Sequence, residues 1–167
     1  MMDMDTVLNY LNQYGSYFLF LIVFLEYLNL PGLPSGVIMP AAGILIYRGH
    51  VNFWSAISVS VLAGLTGSLI LYLLGYYFGK PLIDKVYLKY EKTRRSIDKL
   101  FNYLKNYGSQ GVFLVRLMPV ARTLVSLVAG TYRLNVASFL VFSTGGIFVW
   151  NAVFIYLGYA FGNFFLS

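Results

Sequence analysis

The chain has 167 residues, of which 59% are hydrophobic and only 11% charged, against about 25% charged in an ordinary soluble domain. Its mean hydropathy is +0.70 and its formal net charge +6. The composition reads as one integral membrane domain rather than a soluble one, and the absence of cysteine excludes disulfides and thiol chemistry.

The N-terminal stretch MMDMDTVLNYLNQYG is acidic and has no basic region ahead of an apolar run, so it does not read as a secretory signal peptide. Met4, Val7, Leu8, Leu11 and Tyr14 recur with a helical period and predict a short interfacial helix over residues 1–15. A first apolar block follows at residues 17–47, cut by Pro31, Pro34 and Pro40 and by Gly32 and Gly36. Neither half of it, at about 14 and 10 residues, reaches across a hydrocarbon core of roughly 30 Å at about 1.5 Å per residue. Two short helices meeting at a Pro/Gly turn predict a re-entrant hairpin, tolerated at membrane depth when packed in protein or lining a watery cavity.

A second block, residues 53–79, is unbroken and long enough to span. Next comes a basic segment, residues 80–107, holding Lys80, Lys85, Lys89, Lys92, Arg94, Arg95, Lys99 and Lys105 against Asp84, Glu91 and Asp98. The positive-inside rule places it in the cytoplasm as a solvated helix, attracted to acidic headgroups by position, with no nucleic-acid partner. The third block, residues 111–132, is halved by Pro119 and reads as a second hairpin, a full kinked span being the alternative. The fourth, residues 136–166, is again long enough to span.

The two halves echo each other. AAG ending at Gly43 answers VAG ending at Gly130, Phe53 follows the first and Phe139 the second, and LYLLGYYFG (71–79) matches FIYLGYAFG (154–162). Each unit of hairpin plus span crosses the membrane once, so joining two through a cytoplasmic segment makes them inverted repeats with both termini outside, a transporter pattern. The expected fold is an all-α polytopic membrane protein. It is one domain over residues 1–167: an interfacial helix (1–15), a first repeat (17–79), the basic cytoplasmic segment (80–107) and a second repeat (108–166). Small residues such as Gly75, Gly79, Gly158 and Gly162 are expected to let helices approach closely, and Trp54 and the block-end tyrosines to anchor at the interface.

Outside the basic segment and the acidic tail the ionisable residues are Glu26, Arg48, Arg116, Arg122 and Arg133. Arg48 and Arg133 follow the two hairpins near a boundary and suit snorkelling. Glu26, Arg116 and Arg122 sit inside apolar runs, where each charge costs about 3 kcal/mol on insertion scales. They must pair or bind something. One carboxylate between two guanidiniums would be a structural bridge with a positive charge left over. The alternative is an anion site, in which two forked guanidiniums and helix N-termini at the turns grip a phosphate. Pro119 breaks the helix between Arg116 and Arg122, so both can converge on one ligand. Glu26 could then exchange with the phosphate or carry a coupling proton. Trp150, deep in the fourth block beside Asn151, lines a cavity or packs in the core. His50, in YRGHVN, reads as an interfacial polar residue. There is no metal-ligand cluster, no cofactor motif and no Ser/His or Cys/His arrangement, so hydrolytic chemistry is disfavoured.

FLE (24–26), LPSGVIMPAAG (33–43), GSLILYLLGYYFG (67–79), FLVRLMPVARTLVSLVAG (113–130) and W…LGYAFG (150–162) together resemble the DedA family, which shares its core with the eukaryotic VTT membrane proteins. The Arg–x–x–Pro–x–x–Arg element followed by Ala-Gly is the most specific of these motifs. The resemblance implies a polytopic bacterial inner-membrane protein with re-entrant hairpins that translocates lipid, with undecaprenyl phosphate the expected carrier and proton coupling expected of bacterial members. It also implies that Glu26, Arg116 and Arg122 are the essential acid and two arginines. Gly36 and Ser68 stand where the family commonly has further acids, which puts a two-carboxylate relay in doubt and leaves Glu26 as the sole membrane acid. Ser35 and Ser68 are secondary candidates. The expected function is a flippase for a polyprenyl phosphate, not an enzyme, with a phospholipid scramblase and, less favoured, a lipid-phosphate phosphatase as alternatives. Its expected partners are membrane lipid and the bilayer, with a homo-oligomer left open.

Overall fold

The computed structural model describes residues 4–28, 35–47, 52–89, 91–118 and 121–166. Among these residues the chain is all-helical: α1 (Met4–Tyr27), α2 (Ser35–Tyr47), α3 (Phe53–Lys89), α4 (Glu91–Arg116), α5 (Ala121–Thr131) and α6 (Val136–Leu166). Pro31, Pro34, Arg48, His50 and Pro119 lie outside the described residues, as do the side chain of Ser35 and the surroundings of Gly36 within α2.

Three helices bend at glycine. Gly15 in α1 (φ 55°, ψ −133°), Gly79 in α3 (φ 42°, ψ −127°) and Gly108 in α4 (φ 54°, ψ −135°) adopt a backbone conformation that an L side chain resists. No heavy atom lies within 4 Å of a Cβ built at any of the three, so backbone conformation rather than crowding requires glycine there. The bends fall where the composition changes. Gly15 separates the N-terminal helix from the first apolar arm, Gly79 ends the first long apolar run, and Gly108 separates the basic helix from the next apolar arm.

The runs Phe53–Gly79 and Val136–Gly162, 27 residues each, are long and apolar enough to cross a membrane. At about 1.5 Å per residue each reaches about 40 Å, more than the hydrocarbon thickness. Both runs start at an asparagine cap. Asn52 Oδ1 accepts from the Trp54 N–H at 2.9 Å, and Asn135 Oδ1 accepts from the Ser138 N–H at 3.1 Å. The remaining apolar pieces are shorter. The arms 16–27 and 109–116, with α2 and α5, run about 12 to 20 Å each, less than the roughly 30 Å core. The third apolar block is two helices, α4 ending at Arg116 and α5 starting at Ala121.

The chain forms two compact units, residues 1–67 with 148–167, and residues 68–147. In the first, α2 lies against the C-terminal part of α6. A Cβ on Gly43 would fall 2.1 Å from the Ile155 carbonyl oxygen, and one on Gly158 would fall 2.1 Å from the Pro40 carbonyl oxygen. In the second, α5 lies against α3 in the same manner. A Cβ on Gly130 would fall 1.9 Å from the Tyr72 carbonyl oxygen, and one on Gly75 would fall 2.2 Å from the Leu127 carbonyl oxygen. Backbones this close leave no room for any side chain, which is the use small residues have between apolar helices. The α3 and α6 positions in these contacts, Tyr72 and Gly75 against Ile155 and Gly158, are each 83 apart, as are the caps Asn52 and Asn135. The core of the second unit is built on Tyr72, Ile97, Leu104, Val112, Val115, Val125, Val128 and Phe139.

Candidate functional site

The break between α4 and α5 is built from backbone first. The last turn of α4 tightens through bonds from the Leu117 N–H to the Leu114 carbonyl (3.2 Å) and from the Met118 N–H to the Val115 carbonyl (3.0 Å). Across the break the Arg122 N–H donates to the Met118 carbonyl at 3.1 Å. Arg116 therefore sits at the C-terminus of one helix and Arg122 in the first turn of the next. The first position suits a cation, because the helix dipole is negative there. The second opposes a cation by about 0.3–1 kcal/mol and favours an anion, because free amides and positive charge then face the same way.

Both arginines are buried, Arg116 at 1% and Arg122 at 2% relative exposure, which makes them the largest fully enclosed side chains of the described residues. Arg116 Nη2 donates to Ser126 Oγ at 3.0 Å, bringing the end of α4 against α5. The Arg116 guanidinium carbon lies 5.7 Å from the centroid of the Phe139 ring, a cation–π distance. A Cβ on Gly146 would come within 2.8 Å of Arg116 Cβ and 3.0 Å of its Cδ, so the stem of Arg116 runs over that glycine of α6. Ser68 and Ser143 are buried in the same unit, and neither hydroxyl has a hydrogen-bond partner.

Glu26 is in the other unit, on α1, at 3% exposure. Beside it in sequence, Tyr27 begins a buried polar chain. The Tyr27 hydroxyl donates to Asn151 Oδ1 (3.3 Å), Asn151 Nδ2 to Ser60 Oγ (3.1 Å) and Ser60 Oγ to the Ile57 carbonyl (2.9 Å). Gly67 lets this part of α1 close on α3, since a Cβ there would meet Tyr27 Cβ at 2.9 Å and the Phe24 carbonyl oxygen at 3.0 Å. Pro40 is inside α2 in the same unit, and Trp150 packs its ring on Phe154 at 4.6 Å. The structure thus gathers Arg116, Arg122 and Ser68 into one unit and Glu26, Pro40 and Trp150 into the other.

Arg133 is not part of a buried cluster. It is exposed, has φ 54°, and lies 5.2 Å above the Tyr76 ring. It ends α5 in a Schellman cap, with the Leu134 N–H bonded to the Ala129 carbonyl (3.1 Å) and the Arg133 N–H to the Gly130 carbonyl (2.9 Å). Among the described residues no group of three or more His, Asp or Glu could hold a metal ion. Sequence reasoning weighed charges and passed over Ser126, Ser143, Tyr27 and Ser60. The sequence carried little signal for them, since hydroxyl side chains recur throughout the apolar runs.

The family model for the VTT domain matches residues 33–160. The chain is 33% identical over 132 residues to "Undecaprenyl phosphate transporter A" of Bacillus subtilis (strain 168), covering 78% of this chain and 66% of that protein. It is 30% identical over 160 residues to the protein of the same name from Staphylococcus aureus (strain NCTC 8325 / PS 47), covering 91% and 76%. It is also 26% identical over 164 residues to an "Alkaline phosphatase-like protein" of Lactococcus lactis subsp. lactis (strain IL1403), covering 95% and 76%. No solved structure matches the chain. The VTT match spans most of the chain, including both arginines, α3 and most of α6, so this membrane protein belongs to the VTT-domain family, the group to which its motifs pointed.

Proposed function

We propose that the chain is a transporter that moves a polyprenyl phosphate, undecaprenyl phosphate being the expected lipid, across the bacterial cytoplasmic membrane. The observation that carries this reading is a pair of enclosed arginines flanking a helix break, with a helix N-terminus at the same place. Each charge at membrane depth costs about 3 kcal/mol on insertion scales, and in this reading binding an anion is the use that offsets it. The relatives' printed name supplies the anion that fits, a lipid phosphate. Arg116 and Arg122 grip the phosphate, and the isoprenoid tail stays in lipid. Glu26 gates the cycle or couples it to protons.

In this reading the arms of α1–α2 and α4–α5 are re-entrant hairpins, and α3 and α6 each cross the membrane once. The sub-membrane length of the arms supports it, as do the matched glycine contacts 83 residues apart on α3 and α6. The repeats are then inverted, the basic segment 80–107 is cytoplasmic, and the protein is multi-pass in the inner membrane. The decisive experiment is transbilayer movement of a labelled polyprenyl phosphate in proteoliposomes. Arg116→Ala and Arg122→Ala should abolish it while leaving folded protein, and retained movement would sink the reading.

One observation favours a second reading. Glu26 is the one buried carboxylate among the described residues, with Ser68 at a position where an acid would have helped a relay. An energy-independent scramblase fits that. A protonophore would halt a coupled flippase and leave a scramblase unchanged.

A further inference from the structure

We infer that the hydroxyls of Ser126 and Ser143 complete the phosphate site around Arg116 and make it selective for a phosphate monoester over a phosphodiester; the inference rests on the proposed function.

Phe139, Ser143 and Gly146 share one face of α6, spaced four and three residues apart. Arg116 touches that face at both ends, its stem over Gly146 and its guanidinium over Phe139. Ser143 stands between them in the helix, at 0% exposure, and its Oγ has no hydrogen-bond partner. An enclosed hydroxyl without a partner is costly, and on the helix face that Arg116 crosses it is a donor in want of an acceptor. Ser126 faces Arg116 from α5. Its oxygen accepts from Nη2, and a hydroxyl that accepts in this way retains its own proton to donate.

The first unit offers a comparison. There Asn151 Nδ2 bonds Ser60 Oγ and the polar contact between α6 and α3 is closed. The residues 83 positions away are Ser68 and Ser143. Serine is shorter than asparagine, and both hydroxyls are left without partners in the second unit. The polar contact that is satisfied internally in one unit is open in the unit that holds the arginines.

The donor set then consists of guanidinium N–H groups and the O–H groups of Ser126 and Ser143. A phosphate monoester dianion presents three terminal oxygens to such a set. A phosphodiester presents two, and its second ester group occupies the place of the third acceptor, leaving a buried hydroxyl without its bond. Loss of one such bond is worth about tenfold.

The test uses the full chain in proteoliposomes, with a labelled polyprenyl monophosphate and a labelled phosphatidylglycerol moved in parallel. Wild type should favour the monoester. Ser126→Ala with Ser143→Ala should lower the monoester-to-diester rate ratio by about ten- to a hundredfold, mostly through slower monoester movement. Ser143→Cys keeps the volume and weakens the donor, so it should lower the ratio about tenfold even if the double variant folds poorly. An unchanged ratio in Ser143→Cys, with Arg116→Gln inactive, overturns the inference and leaves the transport reading standing. Equal monoester movement by wild type and Arg116→Gln overturns both. A further arm offers labelled inorganic phosphate in place of the lipid. Transport of inorganic phosphate by wild type that falls in Ser143→Cys would assign the donors to free phosphate and overturn the inference, whereas no such transport supports a site for the lipid-borne group.

Discussion

Arg116→Met separates a functional arginine from a structural one. The change removes a buried charge and keeps an unbranched side chain of similar reach. A guanidinium at membrane depth costs about 3 kcal/mol on insertion scales. Against that stand the bond to Ser126, about 1.5–3 kcal/mol for a charged donor, and the Phe139 contact, about 1–2 kcal/mol when desolvated. On these contacts alone the contributions nearly cancel, so methionine should shift stability by no more than about 2 kcal/mol in either direction. Transport should behave differently, because methionine offers no donor to a phosphate, and it should fall at least about a hundredfold on losing a charge-assisted fork. Thermal unfolding in detergent gives the first quantity and proteoliposome transport the second. A variant that melts far below wild type, yet transports normally per folded molecule, would refute the reasoning and make Arg116 a structural residue.

Two further predictions concern the frame that holds the site. Gly130→Ala places a Cβ 1.9 Å from the Tyr72 carbonyl and must push α5 from α3, so it should cost about 3 kcal/mol or more and lower the yield of folded protein. Gly145→Ala meets only the Phe113 ring edge, at 3.3 Å, and should be tolerated in the same thermal assay. In the other unit, Asn151→Ala removes the middle of the Tyr27–Asn151–Ser60 chain and should destabilise by about 1–3 kcal/mol, readable as a lower melting temperature.

The composition and the proline and glycine positions made the helical membrane class, the two long apolar runs and the segmented arms legible. Length arithmetic against the bilayer was enough for that. The bends at Gly15, Gly79 and Gly108 fell at composition boundaries already visible in the sequence, although their left-handed backbone was not. Arg116 and Arg122 stood out because a charge in an apolar run is expensive. Ser126 and Ser143 did not, because a serine costs little on any hydropathy scale. Only the burial of their hydroxyls and the path of the Arg116 side chain give them weight. The caps at Asn52 and Asn135 were not legible, because an asparagine at a helix start looks like any other polar residue until its bond to an orphan backbone N–H is seen. The contact of Gly130 with Tyr72 joins residues far apart in sequence, and no local pattern encodes such a pairing.

The most direct measurement is native mass spectrometry of the purified chain with a polyprenyl monophosphate, comparing wild type with Arg116→Gln and Arg122→Gln. The account predicts a one-to-one lipid adduct on wild type that either substitution removes without unfolding the protein. An adduct of equal abundance on all three would contradict it.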